Sequence, residues 1–149
     1  MGVVSEDGIV KHLADKGEVE LKKANKDIQT AKISILGLCY KKNIPDIRQS
    51  PSLKIISILK KNNADFVVCD PLYEDNSDKL DFPVSSIQNV FKDSDAVLLV
   101  TDHDIFSSLD MLQIKNDMRT PIIIDGRNFF NEHKLKNLGF VYCAIGKPQ

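Results

Sequence analysis

Five short apolar runs, separated by helix-like segments, restrict the fold more than any other feature of this sequence. The runs are KISILGL, DFVVCDP, DAVLLVTD, PIIIDG and FVYCAIG. They are nearly continuous in apolar residues and rich in β-branched side chains, which is typical of strands buried on both faces. Buried strands that alternate with helices predict an α/β fold with a doubly wound, mostly parallel sheet flanked by helices.

The segments between the runs carry helix signals of different strength. The strongest lies in SLKIISILKKN, where Ser50 supplies an N-cap, Pro51 suits the first turn, and lysines cluster in the last turn. Weaker signals predict short helices in VSSIQNVFKDS, in residues 105–115 and in NEHKLKNLG, the last of which ends at Gly139.

The chain has the length of a single domain, because 149 residues are enough to bury a sizeable core. Its first part differs from the rest. Residues 9–13 carry a short helix signal, but residues 18–30 are mostly charged and polar. We therefore expect a lead-in or linker over residues 1–30 and a binding domain over residues 31–149, with order beginning near Ala31.

Charge and cysteine content limit the classes of function. A formal net charge of -1 gives no reason to expect nucleic acid or an anionic membrane as the main partner. No apolar stretch approaches the length of a membrane span, and the N-terminus has no secretory-signal run. Cys39, Cys69 and Cys143 are odd in number and scattered. This favours reduced thiols in a cytoplasmic protein over a disulfide framework or a zinc site.

Polar residues follow four of the predicted strands, at residues 40–48, 70–71, 101–104 and 125–128. The first of these segments comes shortly after Gly37, which permits a tight turn at the end of the strand. In doubly wound sheets, ligands bind beyond the carboxyl ends of the strands. The sequence therefore predicts one ligand-binding edge. The alternative at this point is that these loops are simply polar.

The chemistry of that edge is cationic. The chain contains neither GxGxxG nor GxxxxGK[ST], the two standard glycine-rich phosphate cradles, so side chains would have to recognise a phosphorylated ligand. Lysines and arginines suit a diphosphate, and the candidates are Lys41, Lys42, Arg48 and Arg127. Tyr40 could lie flat beside a base or a sugar, and Asp46 could orient Arg48. Alternatively, Lys41 and Lys42 are solvated surface charges.

The stretch GLCYKKNIPDIRQSP resembles the signature G-L-x-[YF]-K-x-x-x-x-D-x-R-x-S-P. That signature opens the C-terminal domain of the UDP-glucose/GDP-mannose 6-dehydrogenase family. Four further landmarks follow in the family's order: VVCDPL, AVLLVTDHDIF, IIIDGRNFF and GFVYCAIGKP. The resemblance covers about residues 31–147.

The resemblance implies a Rossmann-like, UDP-sugar-binding domain. Members of the family oxidise the C6 hydroxyl of a nucleotide sugar to a carboxylate, using NAD twice and a cysteine thiohemiacetal. By this resemblance Tyr40, Lys41 and Arg127 bind the substrate, and Arg48 faces the NAD held by another domain. The wording TDHD is commoner among members that act on UDP-N-acetylhexosamines, which hints at that substrate class. Because family members are dimers or larger, a homo-oligomer is also expected.

The chain departs from the family in what it lacks. It has neither the dinucleotide glycine fingerprint nor the segment with the catalytic cysteine. Cys39 stands where the family has a small residue, so we interpret it as a packing residue and not a nucleophile. The resemblance thus implies the UDP-binding domain of a larger dehydrogenase, whose NAD-binding and central domains are its partners. The chain alone is expected to be inactive, with no catalytic residue and no metal ligand.

Two other functions are compatible with parts of the sequence. Asp102 and Asp104 follow an apolar strand with the spacing of the nucleophile and acid of haloacid-dehalogenase-like phosphatases, although Phe106 does not fit that pattern. His103 between them is interpreted as a loop histidine and not as a metal ligand. The second alternative is a purely structural or oligomerisation module, which would use the apolar helix at residues 53–59 and the tail after Gly139.

Overall fold

The computed structural model describes residues 6–39, 41–44, 46–48, 50–73 and 80–145. It contains one five-stranded sheet, all of whose strands are parallel, in the order β2-β1-β3-β4-β5. The strands are β1 Lys32–Leu36, β2 Asp65–Cys69, β3 Ala96–Leu99, β4 Ile122–Asp125 and β5 Val141–Ala144. All five predicted strands are present, and the predicted doubly wound α/β fold is confirmed.

Helices cover both faces of this sheet. They are α1 Glu6–Lys23, α2 Pro51–Lys61, a 3-10 helix Asp104–Ser108, α3 Met111–Asp117 and α4 Glu132–Asn137. One core layer packs α1 and α2 on the sheet, and the other packs the 3-10 helix, α3 and α4 on the opposite face. Within the described part of the chain, no helix combines the length and the apolar character needed to cross a membrane.

The register of the strands lines up their carboxyl ends. Leu36 pairs with Cys69 on one side and with Leu99 on the other, and Leu99 pairs with Asp125. Because the strand order reverses between β1 and β3, the loops that follow these two strands flank the topological switch point. In sheets of this kind the switch point is where ligands bind.

Helix α2 is built as its sequence predicts. The Ser50 side chain accepts a hydrogen bond from the Ser52 N–H, at 3.1 Å, and Pro51 occupies the first turn. Buried Ile55 and Leu59 lie four residues apart on one face and join the first core layer. The predicted N-cap and helix are therefore confirmed.

The N-terminal helix extends further than the short signal at residues 9–13. Helix α1 continues to Lys23, and Leu13 and Leu21 are fully buried against the sheet. These two leucines are eight residues apart, so they lie on one face, while most of the charged residues described around them are exposed and only Glu20 is buried. Helix α1 therefore packs on the sheet as part of the described fold, ahead of the predicted start near Ala31. Whether residues 1–30 also link this domain to another stays a prediction.

Two of the weaker helix predictions need correction. VSSIQNVFKDS forms no helix: Ser85 N–H donates to Val68 O (2.8 Å), and residues 87–93 make consecutive turns. The segment instead pairs with the end of β2 at its start and continues as turns towards β3, so the predicted helix is wrong. The helix predicted over residues 105–115 is divided into the 3-10 helix and α3, because the Asp110 side chain caps a new helix by accepting from Gln113 N–H.

Candidate functional site

The turn after β1 brings its loop against the end of β3. Gly37 has φ +98°, a conformation that L side chains rarely adopt, and its N–H donates to Cys69 O at 2.9 Å. A Cβ at this position would lie 2.5 Å from Thr101 N and 2.8 Å from Thr101 Cα. The tight turn expected at Gly37 is present. Its glycine is needed for backbone packing, so it leaves no space for a phosphate.

Asp70, directly after β2, joins the ends of three strands. Its buried Oδ2 accepts from the N–H groups of Leu38 (2.7 Å) and Cys39 (3.1 Å), and lies 2.8 Å from His103 Nε2. Its Oδ1 accepts from Leu72 N–H at 2.9 Å. Burial by itself raises the pKa of Asp70, but the hydrogen bonds from His103 and the backbone outweigh it and lower the pKa. Asp70 is therefore a carboxylate held from within the protein.

The segment of residues 101–104 holds the loop that follows β1. Thr101 Oγ1 donates to Cys39 O at 2.5 Å, and His103 Nδ1 accepts from Asn43 N–H at 2.8 Å. The Asn43 side chain donates from Nδ2 to Asp104 Oδ2 (3.0 Å), and its Oδ1 accepts from the Asp104 backbone N–H (3.3 Å). Because Nδ1 is an acceptor here, the ring proton is on Nε2 and is donated to Asp70. We call His103 and Asp104 the clamp, and residues 41–44 the clamped loop.

The contacts of the clamp explain the Asp102-x-Asp104 spacing that suggested a phosphatase. Asp104 is exposed and is occupied by Asn43 and by Lys42, whose Nζ is 3.7 Å from Asp104 Oδ1. It docks a neighbouring loop instead of sharing a metal-centred site with Asp102. His103 is a buried loop histidine, with both ring nitrogens engaged by the protein.

Cys39 lies beside the hydrogen-bonded side chains of Asp70 and His103. Its Sγ, an Asp70 oxygen and a His103 nitrogen are within 4.8 Å of one another, and such atoms could in principle bind Zn²⁺. However, burial raises the pKa of the Cys39 thiol to about 12, and the nearby charge of Asp70 adds to this. A raised pKa disfavours the nucleophilic thiolate, which agrees with a packing role for Cys39. Within the cluster, His103 and Asp70 are joined by a hydrogen bond of 2.8 Å.

The turn after β4 is organised by a second buried carboxylate. Asp125 Oδ1 accepts from Arg127 N–H (2.9 Å), and Oδ2 accepts from the N–H groups of Phe129 (2.8 Å) and Phe130 (2.9 Å). The Tyr142 hydroxyl also donates to Oδ2, at 2.7 Å. Burial raises the pKa of Tyr142, and the hydrogen bond to the Asp125 carboxylate raises this pKa further. The hydroxyl therefore keeps its proton and stays a donor. These bonds fix the backbone that carries Arg127.

The predicted binding residues have different surroundings. Arg127 is exposed, and its Nε donates to Val100 O at 3.0 Å, which lays the side chain across the end of β3. Lys41 is exposed in the clamped loop. Among the described residues, no carboxylate pairs with Lys41 or Arg127. The loop of Lys41 docks on His103 through Asn43, and Arg127 docks on Val100. Both loops therefore contact residues 100–104, at the switch point.

Arg48 and Tyr40 are less well connected to that point. Arg48 is 86% exposed and forks onto Asp46, with Nε 3.0 Å and Nη2 2.9 Å from the two carboxylate oxygens. This is the orienting contact that the sequence suggested, and no described contact joins Arg48 to Lys41 or Arg127. Tyr40, the predicted aromatic of the site, lies outside the described residues.

Residues 34–132 match the UDP-binding domain of the UDP-glucose/GDP-mannose dehydrogenase family. The chain belongs to this family. The match contains Lys41, Arg48, Asp70 and Arg127, so every cationic loop described above lies inside the UDP-binding domain. The family resemblance read from the five motifs is thereby confirmed.

Named relatives agree on the family and differ in substrate. The UDP-glucose 6-dehydrogenase of Rhizobium meliloti is 31% identical over 128 residues, which cover 84% of this chain and 29% of that protein. The UDP-N-acetyl-D-mannosamine dehydrogenase of Pyrococcus horikoshii is 35% identical over 127 residues, covering 85% of this chain and 28% of that protein. The chain thus spans less than a third of the length of these relatives.

Solved structures of nucleotide-sugar dehydrogenases resemble this chain over nearly its whole length. A UDP-D-ManNAc dehydrogenase from Pyrococcus horikoshii has a TM-score of 0.74 at 33% identity, covering 92% of this chain and 30% of the other. An NDP-N-acetyl-D-galactosaminuronic acid dehydrogenase from Methanosarcina mazei has a TM-score of 0.80 at 26% identity, covering 93% and 29%.

Sequence reasoning missed the residues that position the UDP-binding domain's loops. Asp70 and Asp125 were noted only as polar residues at strand ends, and His103 only as a loop histidine. A signal was available: each aspartate directly follows a buried apolar run, where a carboxylate must find several donors. The nearest donors are the N–H groups of adjoining loops, but the identity of those loops depends on strand order.

Proposed function

We propose that this chain binds a UDP-sugar at the carboxyl edge of its sheet, as part of an NAD-dependent UDP-sugar 6-dehydrogenase. That enzyme would oxidise the sugar C6 hydroxyl to a carboxylate. The observation that carries the proposal is the docking of two cationic loops, bearing Lys41 and Arg127, at the switch point. Because neither cation pairs with a described carboxylate, both charges are available to an anionic ligand.

Each residue has a role that suits its chemistry. Lys41 supplies a point charge for the sugar or the diphosphate, and Arg127 contacts the substrate with a planar fork of donors. The Nε–Val100 bond leaves the two terminal nitrogens of Arg127 to the ligand. Tyr40 sits beside the nucleotide sugar in this proposal. Its position in the sequence, directly before Lys41, supports that role.

The described residues form no pyrophosphate cradle for NAD, because Gly37, the glycine after β1, is packed against the Thr101 backbone. We therefore assign NAD mainly to a domain other than this chain. Arg48 is the residue we assign to face it, because its guanidinium is exposed and preset by Asp46. NAD-binding and central domains would be the partners, in a homo-oligomeric, cytoplasmic enzyme. The isolated chain would not catalyse the oxidation.

For the sugar, we favour a UDP-N-acetylhexosamine. The TDHD wording supports this choice, and so do relatives named for UDP-N-acetyl-D-mannosamine. A relative named for UDP-glucose matches nearly as well, so the test must include both sugars.

Calorimetric titration of the purified chain tests the proposal. UDP, UDP-glucose and a UDP-N-acetylhexosamine are titrated separately, with GDP as the control ligand. We expect binding of UDP and of the UDP-sugars, tightest for the N-acetylated one, and no NADH when NAD is added. Absence of binding to all uridine ligands would support the structural module instead. Magnesium-dependent hydrolysis of a phosphomonoester would support the phosphatase, and steady NADH production would show that the chain is catalytic alone.

A further inference from the structure

We propose that His103 is a positioning residue of the UDP-sugar site, which acts by holding the loop that carries Lys41. This inference rests on the function proposed above. His103 is 1% exposed, so it cannot itself contact a ligand at the surface. Its effect on binding would pass through the backbone of Asn43, two residues after Lys41.

Among the described residues, little else holds the clamped loop in place. All four of its residues, 41–44, are exposed, including the apolar Ile44 at 49%. A loop with so few buried contacts gains little from packing, so its position depends on specific hydrogen bonds. The strongest candidates are the bonds between Asn43 and the clamp residues His103 and Asp104.

The histidine is itself held by the rest of the sheet edge. Asp70 accepts the Nε2 proton at 2.8 Å, which leaves the Nδ1 lone pair as the acceptor for Asn43 N–H. Asp70 is in turn fixed by the N–H groups of Leu38 and Cys39, which precede the clamped loop. The chain is thus tied to one buried pair both before and after Lys41, and this pair sets the position of Lys41.

Asn43 shows why the bond to Nδ1 matters for shape. Its φ is +61°, in the left-handed region that non-glycine residues adopt at a cost. The N–H of this strained residue points at the buried ring, where losing the acceptor would leave it without a partner. We therefore expect the loop to change position when the acceptor is removed, even if the rest of the domain stays folded.

Two substitutions at position 103 separate the two ends of the ring. Asn places an acceptor near the Nδ1 position but cannot reach Asp70, whereas Gln places a donor near the Nε2 position but offers nothing to Asn43. If His103 positions the loop, H103Q weakens UDP-sugar binding about fivefold or more, and H103N recovers at least half of the lost affinity. Stability should rank the other way, since only H103Q keeps the bond to Asp70.

Calorimetry with a UDP-sugar and a melting curve for each variant provide the measurement. A UDP-sugar is preferred to UDP because each of its phosphates carries one ester bond and one anhydride bond and has no proton that titrates near neutral pH. In a K41A background, H103Q should cost less than twofold in further affinity, because the residue it positions is gone.

Several outcomes would overturn the inference. The first is that affinity follows stability, so that H103Q binds better than H103N. The second is that H103Q loses as much affinity in the K41A background as in the parent. A parent chain that does not bind the UDP-sugar, or a K41A variant that binds as well as the parent, overturns the proposed role of Lys41. The inference about His103 would fall with it.

Discussion

The two edges of the sheet are each built on a buried carboxylate, but the donors differ. At the amino edge, Asp95 accepts from Lys32 N–H at 3.0 Å, from Thr120 Oγ1 at 2.7 Å, and from a guanidinium fork of Arg119 at 2.6 and 3.0 Å. At the carboxyl edge, Asp70 accepts from backbone N–H groups and the neutral His103.

The difference determines which cations are left for a ligand. Arg119 is occupied within the amino edge, where it neutralises Asp95. At the carboxyl edge neutral donors satisfy Asp70 and Asp125, so Lys41 and Arg127 keep their charge for the outside. An aspartate can thus stabilise a sheet edge without pairing with the cations on nearby loops, which leaves Lys41 and Arg127 for the proposed anionic ligand.

The largest expected effect is at the base of the carboxyl edge. Gly37→Ala would force φ +98° on a side-chain residue and place its Cβ 2.5 Å from Thr101 N. Strain and overpacking together predict a loss of about 3 kcal/mol or more in the free energy of unfolding. UDP-sugar binding should be lost as well. Denaturant unfolding and calorimetry measure the two effects.

Gly17→Ala is the matched control for that substitution. It lies in α1, and its new Cβ would be 3.6 Å from Leu98 Cδ2, which is an ordinary contact. An alanine inside a helix should stabilise the domain by about 0.5–1 kcal/mol. If Gly17→Ala left stability unchanged and Gly37→Ala were tolerated, both the packing of α1 and the tight turn would be in doubt.

The amino edge should affect stability alone. Asp95→Asn removes a charge-assisted fork and leaves a donor facing Lys32 N–H, so we expect a loss of about 2–3 kcal/mol in unfolding free energy. Affinity for a UDP-sugar, measured well below the melting temperature, should not change. An affinity loss that matches that of a carboxyl-edge variant would contradict the separation of the two edges.

Asp95 also predicts a pH dependence. Burial alone would raise its pKa, but the bonds from Arg119, Lys32 N–H and Thr120 lower it from 3.8 to about 2. A lowered pKa in the folded state gives stability that is present above about pH 4 and is lost as the pH falls towards 2. The stability difference between the parent and Asp95→Asn should therefore shrink by about 2 kcal/mol between pH 5 and pH 2. A difference independent of pH would contradict this.

Arg127 should show a smaller effect, confined to binding. Arg127→Ala should weaken UDP-sugar binding several-fold, less than a buried charge-assisted bond would, because the side chain is exposed and water screens it. The melting temperature should stay the same. Arg127→Lys should recover only part of the affinity, since an ammonium cannot copy the planar fork. Calorimetry on all three chains decides; equal affinities would make Arg127 a surface residue.

The smallest effect is expected at Arg48. In this chain Arg48→Ala should change neither UDP-sugar affinity nor melting temperature, because its described bonds are all to the exposed Asp46. The substitution should matter only in the full enzyme, as a higher KM for NAD. A clear loss of UDP-sugar affinity in the isolated chain would move Arg48 from the proposed NAD side to the substrate side.

Much of the fold could be predicted because its signals are local. Apolar runs of strand length define β1 to β5, and the Ser50–Pro51 pair defines the start of α2. The five motifs also identified the family before any geometry was known. Local signals were weakest where charged residues surround a few apolar ones, which is why α1 was taken for a linker. Only its packing shows that Leu13 and Leu21 are core residues.

The sequence by itself therefore determined the class of fold, the family and the cationic residues that follow the strands. The tertiary structure alone decided which of them lie on loops that dock against residues 100–104. Asn43 and His103 are sixty residues apart, and Arg127 lies twenty-seven residues from Val100. Hydrogen bonds over such separations depend on strand order and register, which no local pattern contains. A buried aspartate at a strand end indicates that hydrogen-bond donors must lie nearby, but which residues provide them depends on the arrangement of the neighbouring strands.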